Sequence, residues 1–400
     1  MAVMLNQENR VRSERSDFQS ELRPGCPDMM FFWQILLLLG IGLISLLSAS
    51  FPSALYEHQD AYYYFKRQSF FAVVGLAALL AAAFGDYHKL RRYARPLLAG
   101  AILLLILVLF PQIGVMRNHA RRWLSIGGVV TFQPSELARL AIIIDFAASI
   151  AARKDRMRTW KYGVKPYFLK LMLISVLMLK EPHLSGTLLI LGTGTVLLII
   201  GGIHPKWIAG MILLAGIGVW LLLSGKISYG HSRIEMWMDP FRYAQESGYQ
   251  LSQSLLAIGS GGLTGVGFGK GRQKFMYLPE EHNDFIFATV CEEMGLIGAV
   301  LIMILFMVII LHGYGIALRA RDRFGSLLTA GIISLFAMQT FLNISVVTGL
   351  LPTTGVALPF FSYGGTALVL QLAEMGLVLS VSRYEKMERE KNDENERNLV

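Results

Sequence analysis

The segment Leu278-Pro279-Glu280-Glu281-His282-Asn283-Asp284-Phe285 sets three carboxylates and a histidine directly before a long apolar run, 285–311. That run reads as a membrane helix. Asp284 therefore stands at the edge of hydrocarbon, where a charge is costly unless it has a task or a partner. A carboxylate so placed can act as a general base. Glu136 and Arg139 form a second constellation, in Gln133-Pro134-Ser135-Glu136-Leu137-Ala138-Arg139. Three residues apart, they share a helix face and can pair, and Pro134 suits a first helical turn. The spacing alone does not separate a working pair from a salt bridge that only makes a buried charge tolerable.

Other polar groups recur at the same ends of the apolar runs. Lys66, Arg67 and Gln68 precede one, and Arg121, Arg122 and Trp123 follow another. Arg233 and Gln253 lie in a long polar stretch that leads into glycines at 259, 261, 262, 265, 267, 269 and 271. This run is not a phosphate loop, because no Gly-Lys-Ser/Thr ends it and no strand precedes it. It is either a tightly turning loop or backbone that lies against a substrate. Residues 348–365 hold Thr353, Ser362 and Tyr363 among prolines and glycines. That composition favours an irregular re-entrant segment lining a polar cavity. Glu292 and Glu293 are intramembrane acids expected to pair inside the bundle. His282 beside its acidic neighbours does not make a metal site, and no metal-ligand spacing appears elsewhere.

The elements that must position these groups are membrane helices. The 400 residues are 54% hydrophobic and 16% charged, against roughly 25% charged in soluble domains, and mean hydropathy is +0.49. The expected fold class is all-α, a polytopic membrane protein of about ten spans: 31–51, 69–85, 97–115, 137–152, 167–179, 184–203, 207–223, 285–311, 327–347 and 364–381. Residues 1–30 and 383–400 read as polar cytoplasmic tails, 31–382 as the membrane domain and 224–284 as a large extracytoplasmic loop. Basic clusters at 89–95, 153–165 and 319–323 place both termini inside. The first span reads as an uncleaved helix rather than a signal peptide, since its leader and apolar core are too long. Scattered over short loops, the basic residues behind the net charge of +9 argue against nucleic-acid binding. Cys26 and Cys291 imply no disulfide framework.

Together these motifs resemble the SEDS family (shape, elongation, division and sporulation proteins), which includes RodA, FtsW and SpoVE. The resemblance rests on Lys66-Arg67-Gln68, Ala120-Arg121-Arg122-Trp123, Gln133 to Ala138, Tyr277 to Glu280, Asp284 to Ala288, Pro352 to Gly355 and Ser362 to Gly365. Tyr249-Gln250, Gln253-Ser254 and Gln273-Lys274 look closer to the FtsW/SpoVE branch. The resemblance implies a peptidoglycan glycosyltransferase that polymerises lipid II, an undecaprenyl-diphosphate-linked disaccharide peptide, at the outer face of the bacterial cytoplasmic membrane. A class B penicillin-binding protein is the implied partner. The family's essential aspartate falls on Asp284, and its helix-four pair on Glu136 and Arg139. Lys66, Arg67, Arg121, Arg122 and Arg233 are candidates for neutralising the diphosphate. Trp123, Gln133, Ser135, Gln253, Thr353, Ser362 and Tyr363 are candidate cavity-lining residues. The sequence identifies no definite cofactor, and a divalent cation (Mg or Mn) could share the work on the diphosphate.

The chain departs from the family pattern at Arg139, usually lysine, and at His183, where many relatives carry aspartate. His119, Glu281, Asn283 and Glu374 are further departures. The His183 change puts a shared catalytic role for that site in doubt. A lipid flippase or transporter, and a non-catalytic scaffold for a penicillin-binding protein, are the alternative readings.

Overall fold

The computed structural model describes residues 25–117, 120–126, 130–211, 236–245 and 248–398. The fold is an all-α membrane bundle with one small sheet. In chain order the long helices are α1 (Met29–His58), α2 (Tyr63–Phe84), α3 (His88–Val108), α4 (Pro134–Arg153), α5 (Lys165–Lys180), α6 (Leu184–Ile200), α7 (Tyr249–Gly261), α8 (Ile286–Leu318), α9 (Arg323–Val347) and α10 (Gly365–Asn398). Among the described residues, six segments are long and apolar enough to cross a membrane: α1, α2, Trp160–Lys180, α8, α9 and Gly365–Tyr384. The seventh expected span, 207–223, falls largely outside the described residues.

Local chemistry sets the helix ends. Asp28 caps α1 by accepting from Phe31 N at 3.0 Å, and Asp322 caps α9 by accepting from Phe324 N at 3.0 Å. The expected third span overshoots: α3 stops at Val108, and β1 (Gly114–Arg117) has begun before Val115 is passed. Pro111 and Gly114 favour the intervening turns. β2 (Ala120–Ile126) pairs antiparallel with β1 and with β3 (Val130–Phe132). The loop thus becomes a three-stranded sheet.

α9 is the buried axis of the bundle. Phe336 on α9 packs against Phe306 of α8, with ring centroids 5.7 Å apart, and against Phe360 at the same distance. Gly376 of α10 sits on the backbone of Leu79 in α2, and Gly75 of α2 sits on Leu372. Small residues at such crossings let helices approach closely. Some of the charges inside the bundle are paired. Lys170 of α5 reaches Asp145 of α4 at 2.5 Å, a bridge that tolerates an acid in the middle of an apolar helix.

Gly295, at φ +66°, breaks α8. The glycine-rich loop docks into this break. Val266 N and Gly267 N donate to the carbonyls of Glu292 and Glu293 at 3.0 and 3.1 Å. Leu296 N and Ile297 N donate back to Gly262 and Leu263. Backbone groups freed at membrane depth need such partners, so this run turns tightly to complete a helix. Gly265 packs directly on the Glu293 carbonyl at φ +79°, where a side chain would not fit. Glu292 accepts from Arg272 N at 2.7 Å. The buried Lys274 pairs with Glu293 at 2.6 Å and donates to Ser48 of α1 at 2.9 Å.

Candidate active site

The polar end of the bundle is assembled from five pieces: the sheet, the start of α4, the turn between α5 and α6, and the facing segments 276–285 and 348–364. Asp284 lies in the second-last residue before α8 begins. Its main-chain carbonyl accepts from Asn343 Nδ2 of α9 at 2.7 Å, and the same nitrogen reaches the Val356 carbonyl at 2.6 Å. One amide thus joins α9, the Asp284 turn and the irregular segment. Ser362 Oγ donates to the Asn283 carbonyl at 2.7 Å, and Tyr363 N donates to the His282 carbonyl at 2.9 Å. On the other side of the turn, Asn283 N and Phe285 N both donate to the Glu280 carbonyl. The backbone carrying Asp284 is held from both sides.

The carboxylate itself faces Gly355, which has φ +66°, and a Cβ there would stand 3.1 Å from Asp284 Oδ2. Gly355 is exposed, so the space beside the carboxylate opens outward. Burial pushes the Asp284 carboxyl up from 3.8 to about 6, helped by the Glu280 charge and opposed by Arg122. A carboxylate tuned toward neutrality is suited to general-base work.

Arg139 and Glu136 form a salt bridge at the start of α4, with Arg139 buried and Glu136 half-buried. Glu374 of α10, also buried, lies within electrostatic reach of both. Arg139 and Glu374 are thus spatial neighbours, which the sequence alone did not disclose.

The other expected residues are distributed unevenly. Arg122 is committed to the turn after α5: its Nε donates to the Glu181 carbonyl at 3.1 Å and its Nη2 donates to the Pro182 carbonyl. Its charge still reaches Asp284. Arg121 and Trp123 are half-buried on β2. Arg67 donates to Tyr63 Oη at 2.7 Å. Lys66 is largely exposed and pairs with Asp60 at 2.8 Å, which makes it a surface charge. Arg233 lies outside the described residues, as does His119. Gln133 and Ser135 are buried beside the Glu136–Arg139 pair, and the Ser135 hydroxyl has no hydrogen-bond partner among the described residues. Gln253, Thr353 and Tyr363 are half-buried. Ser362 does not offer its hydroxyl to a cavity, because that hydroxyl is occupied by Leu358 N and the Asn283 carbonyl.

Glu281 and His282, neighbours of Asp284, have structural partners. Ser53 of α1 donates to Glu281. The His282 ring stacks on Tyr64, with centroids 4.4 Å apart.

Sequence reasoning missed Asn343, whose role depends on tertiary contacts. It also passed over Glu181, which is buried with neither carboxyl oxygen hydrogen-bonded among the described residues. A buried polar atom left so costs about 1–3 kcal/mol. An acid directly before Pro182 at the end of an apolar run was the available signal. Among the described residues, no three His, Cys, Asp or Glu side chains converge to hold a metal ion.

The family described as "Cell cycle protein", comprising FtsW, RodA and SpoVE, matches residues 28–387. The chain belongs to this family. Among FtsW/RodA/SpoVE proteins it is 39% identical over 355 residues to a probable peptidoglycan glycosyltransferase FtsW of Geobacter metallireducens, covering 89% of this chain and 94% of the relative. It is 40% identical over 362 residues to stage V sporulation protein E of Bacillus subtilis, covering 90% and 98%. These likenesses place it on the FtsW/SpoVE branch. Its fold matches a chain of a peptidoglycan synthase complex that coordinates polymerization and crosslinking, with TM-score 0.75, 27% identity and coverage of 89% and 98%. It also matches the rod shape determining protein RodA of Thermus thermophilus, with TM-score 0.66, 28% identity and coverage of 90% and 97%.

Proposed function

We propose that the protein is a peptidoglycan glycosyltransferase of the bacterial cytoplasmic membrane, polymerising lipid II at the outer face with Asp284 as general base. The observation that carries this reading is the Asp284 carboxylate, raised toward neutrality, fixed through its backbone and facing the exposed Gly355. Family membership and the synthase-complex likeness support the reaction class.

In this mechanism the ionised Asp284 accepts the proton of the GlcNAc 4-hydroxyl of one lipid II. The hydroxyl oxygen bonds to the anomeric carbon of the other chain's MurNAc, and the bond from that carbon to undecaprenyl diphosphate breaks. Because the diphosphate leaves as a stable anion, a second carboxyl serving as general acid is not needed, unlike in glycosidases. Arg122, whose charge reaches Asp284 from β2 while it stays bonded to the carbonyls of the α5–α6 turn, would offset part of the growing negative charge, and Arg121 beside it is a second candidate. A Mg or Mn ion would supply further charge neutralisation at the diphosphate. Apolar faces of the bundle would accommodate the two isoprenoid tails.

Both termini lie in the cytoplasm in this reading, which puts the Asp284 end of the bundle outside, where lipid II is presented. A class B penicillin-binding protein would supply crosslinking. Reconstitution of the purified protein into vesicles with labelled lipid II tests the assignment: glycan polymer is the expected product. Translocated lipid II without polymer would mark a flippase. Absence of both, with a penicillin-binding protein still captured, would mark a scaffold.

A further inference from the structure

The turn between α5 and α6 holds two polar side chains that the mechanism above does not use. Glu181 is 1% exposed and His183 is 8% exposed. Neither oxygen of the Glu181 carboxyl has a hydrogen-bond partner among the described residues, and neither does His183 Nδ1. Thr354 Oγ1 is likewise buried and unpartnered. This threonine belongs to the neighbouring segment: Ser185 Oγ donates to its carbonyl. The next residue, Gly355, faces Asp284 Oδ2. Thr354 therefore adjoins the general base through Gly355, and Ser185 joins it to the turn that carries Glu181 and His183.

We propose that Glu181 and His183, with Thr354, form a saccharide-binding subsite that holds the hydroxyl and acetamido groups of a lipid-linked sugar beside Asp284. The inference rests on the polymerase reading and names the part of the substrate that this turn recognises. Charge decides between sugar and diphosphate. Burial pushes the Glu181 carboxyl up to about 8, against the pull of Arg122, which favours its neutral, proton-donating form. Burial, with Arg122 and Arg139 nearby, holds His183 down at about 3, so its imidazole is neutral. A neutral acid, a neutral imidazole and a hydroxyl offer both donors and acceptors, as sugar hydroxyls do. A diphosphate calls for free cations, and here Arg139 is paired with Glu136 while Arg122 is bonded to the turn's own carbonyls. The His183 ring lies against Gly186 of α6, where a Cβ would meet it.

The test measures binding in the Asp284→Asn background, so that no turnover occurs, comparing lipid II with undecaprenyl diphosphate that carries no sugar. Glu181→Leu is expected to weaken lipid II binding about tenfold, the scale of one or two lost hydrogen bonds, and to leave the sugar-free lipid unchanged. Glu181→Gln, which keeps a neutral donor, should stay within about threefold of the parent. Because Leu removes an unpartnered buried carboxyl, Glu181→Leu should also melt no lower than the parent in detergent. Unchanged lipid II affinity in Glu181→Leu would overturn the subsite. Equal loss for both lipids would overturn it in favour of an anion site. A lowered melting temperature with Gln as damaging as Leu would overturn it in favour of a structural role. Polymerisation by the protein with Asp284 intact is scored separately. Sugar-selective loss without any polymer from the parent would sink the polymerase reading and leave the subsite standing.

Discussion

Asn343 donates to the main-chain carbonyl of Asp284 at 2.7 Å, tying the proposed base to the buried axis of the bundle. The same nitrogen holds Val356, so one side chain fixes the distance between Asp284 and the segment opposite it. Asn343→Leu leaves two carbonyls without this donor and frees the Asp284 turn. A kcat reduction of about 100-fold is expected, with KM changed far less, since misplacement by about 1 Å can cost that much. Steady-state kinetics checks this; an unchanged kcat would remove Asn343 from the positioning role.

The raised Asp284 carboxyl predicts an acidic limb in the rate. The base works when ionised, so polymerisation should be constant above about pH 7 and fall as pH drops through about 6. Glu280→Gln removes the charge that helps hold the proton on, so it should move this limb to lower pH. A pH–kcat profile of parent and variant checks both.

The same shift has a consequence for stability. An acid whose folded value lies above its unfolded value of about 3.9 favours folding below that pH and opposes it as pH rises through about 6. Asp284→Asn should therefore raise the melting temperature at pH 7.5 while abolishing activity. At pH 4 the gain should vanish. Thermal unfolding in detergent at the two pH values reads the difference.

Arg139 and Glu374 invite a double-mutant cycle. Arg139 bridges Glu136 and lies within electrostatic reach of Glu374. Lysine offers a point charge on a flexible stem where arginine offers a planar fork. Arg139→Ala should lose more activity than Arg139→Lys. Arg139→Lys should in turn recover when combined with Glu374→Gln. Activity of the four combinations at equal expression decides, and strict additivity would mean that the two departures are independent.

The class of fold was legible because hydropathy and basic clusters act over whole helices. Apolar runs such as 285–311 and 327–347 announce themselves, and α8 and α9 span them. The 136/139 spacing was equally readable, since residues three apart on a helix are neighbours. What escaped was whatever depends on contacts between distant segments. Lys274 meets Glu293 and Ser48 only because the glycine loop docks at the Gly295 break. The composition of that loop left a tightly turning loop and substrate contact both open; it turns tightly, and its backbone completes a helix. Asn343 sits near the end of an ordinary apolar helix, and nothing around it in the chain indicates its two carbonyl partners. The short sheet was also hidden, because Arg121, Arg122 and Trp123 read as charged loop until Val115 and Leu124 are brought into register with their partners.

The dock at Gly295 carries its own prediction. Lys274 and Glu293 are both buried, so Lys274→Met strands a charge and should cost about 3–5 kcal/mol. Adding Glu293→Leu should restore most of that loss, because replacing both partners leaves no orphan. Equal instability of single and double variants would show that the pair contributes little to holding the loop on α8.

The central claim is that Asp284 takes the proton in glycan polymerisation. Purified parent and Asp284→Asn proteins, at matched amounts and with and without a class B penicillin-binding protein, should be incubated with lipid II and the products resolved by length. Long glycan strands from the parent and none from Asp284→Asn are the predicted result. Undiminished polymer from Asp284→Asn would contradict the assignment of Asp284 as general base.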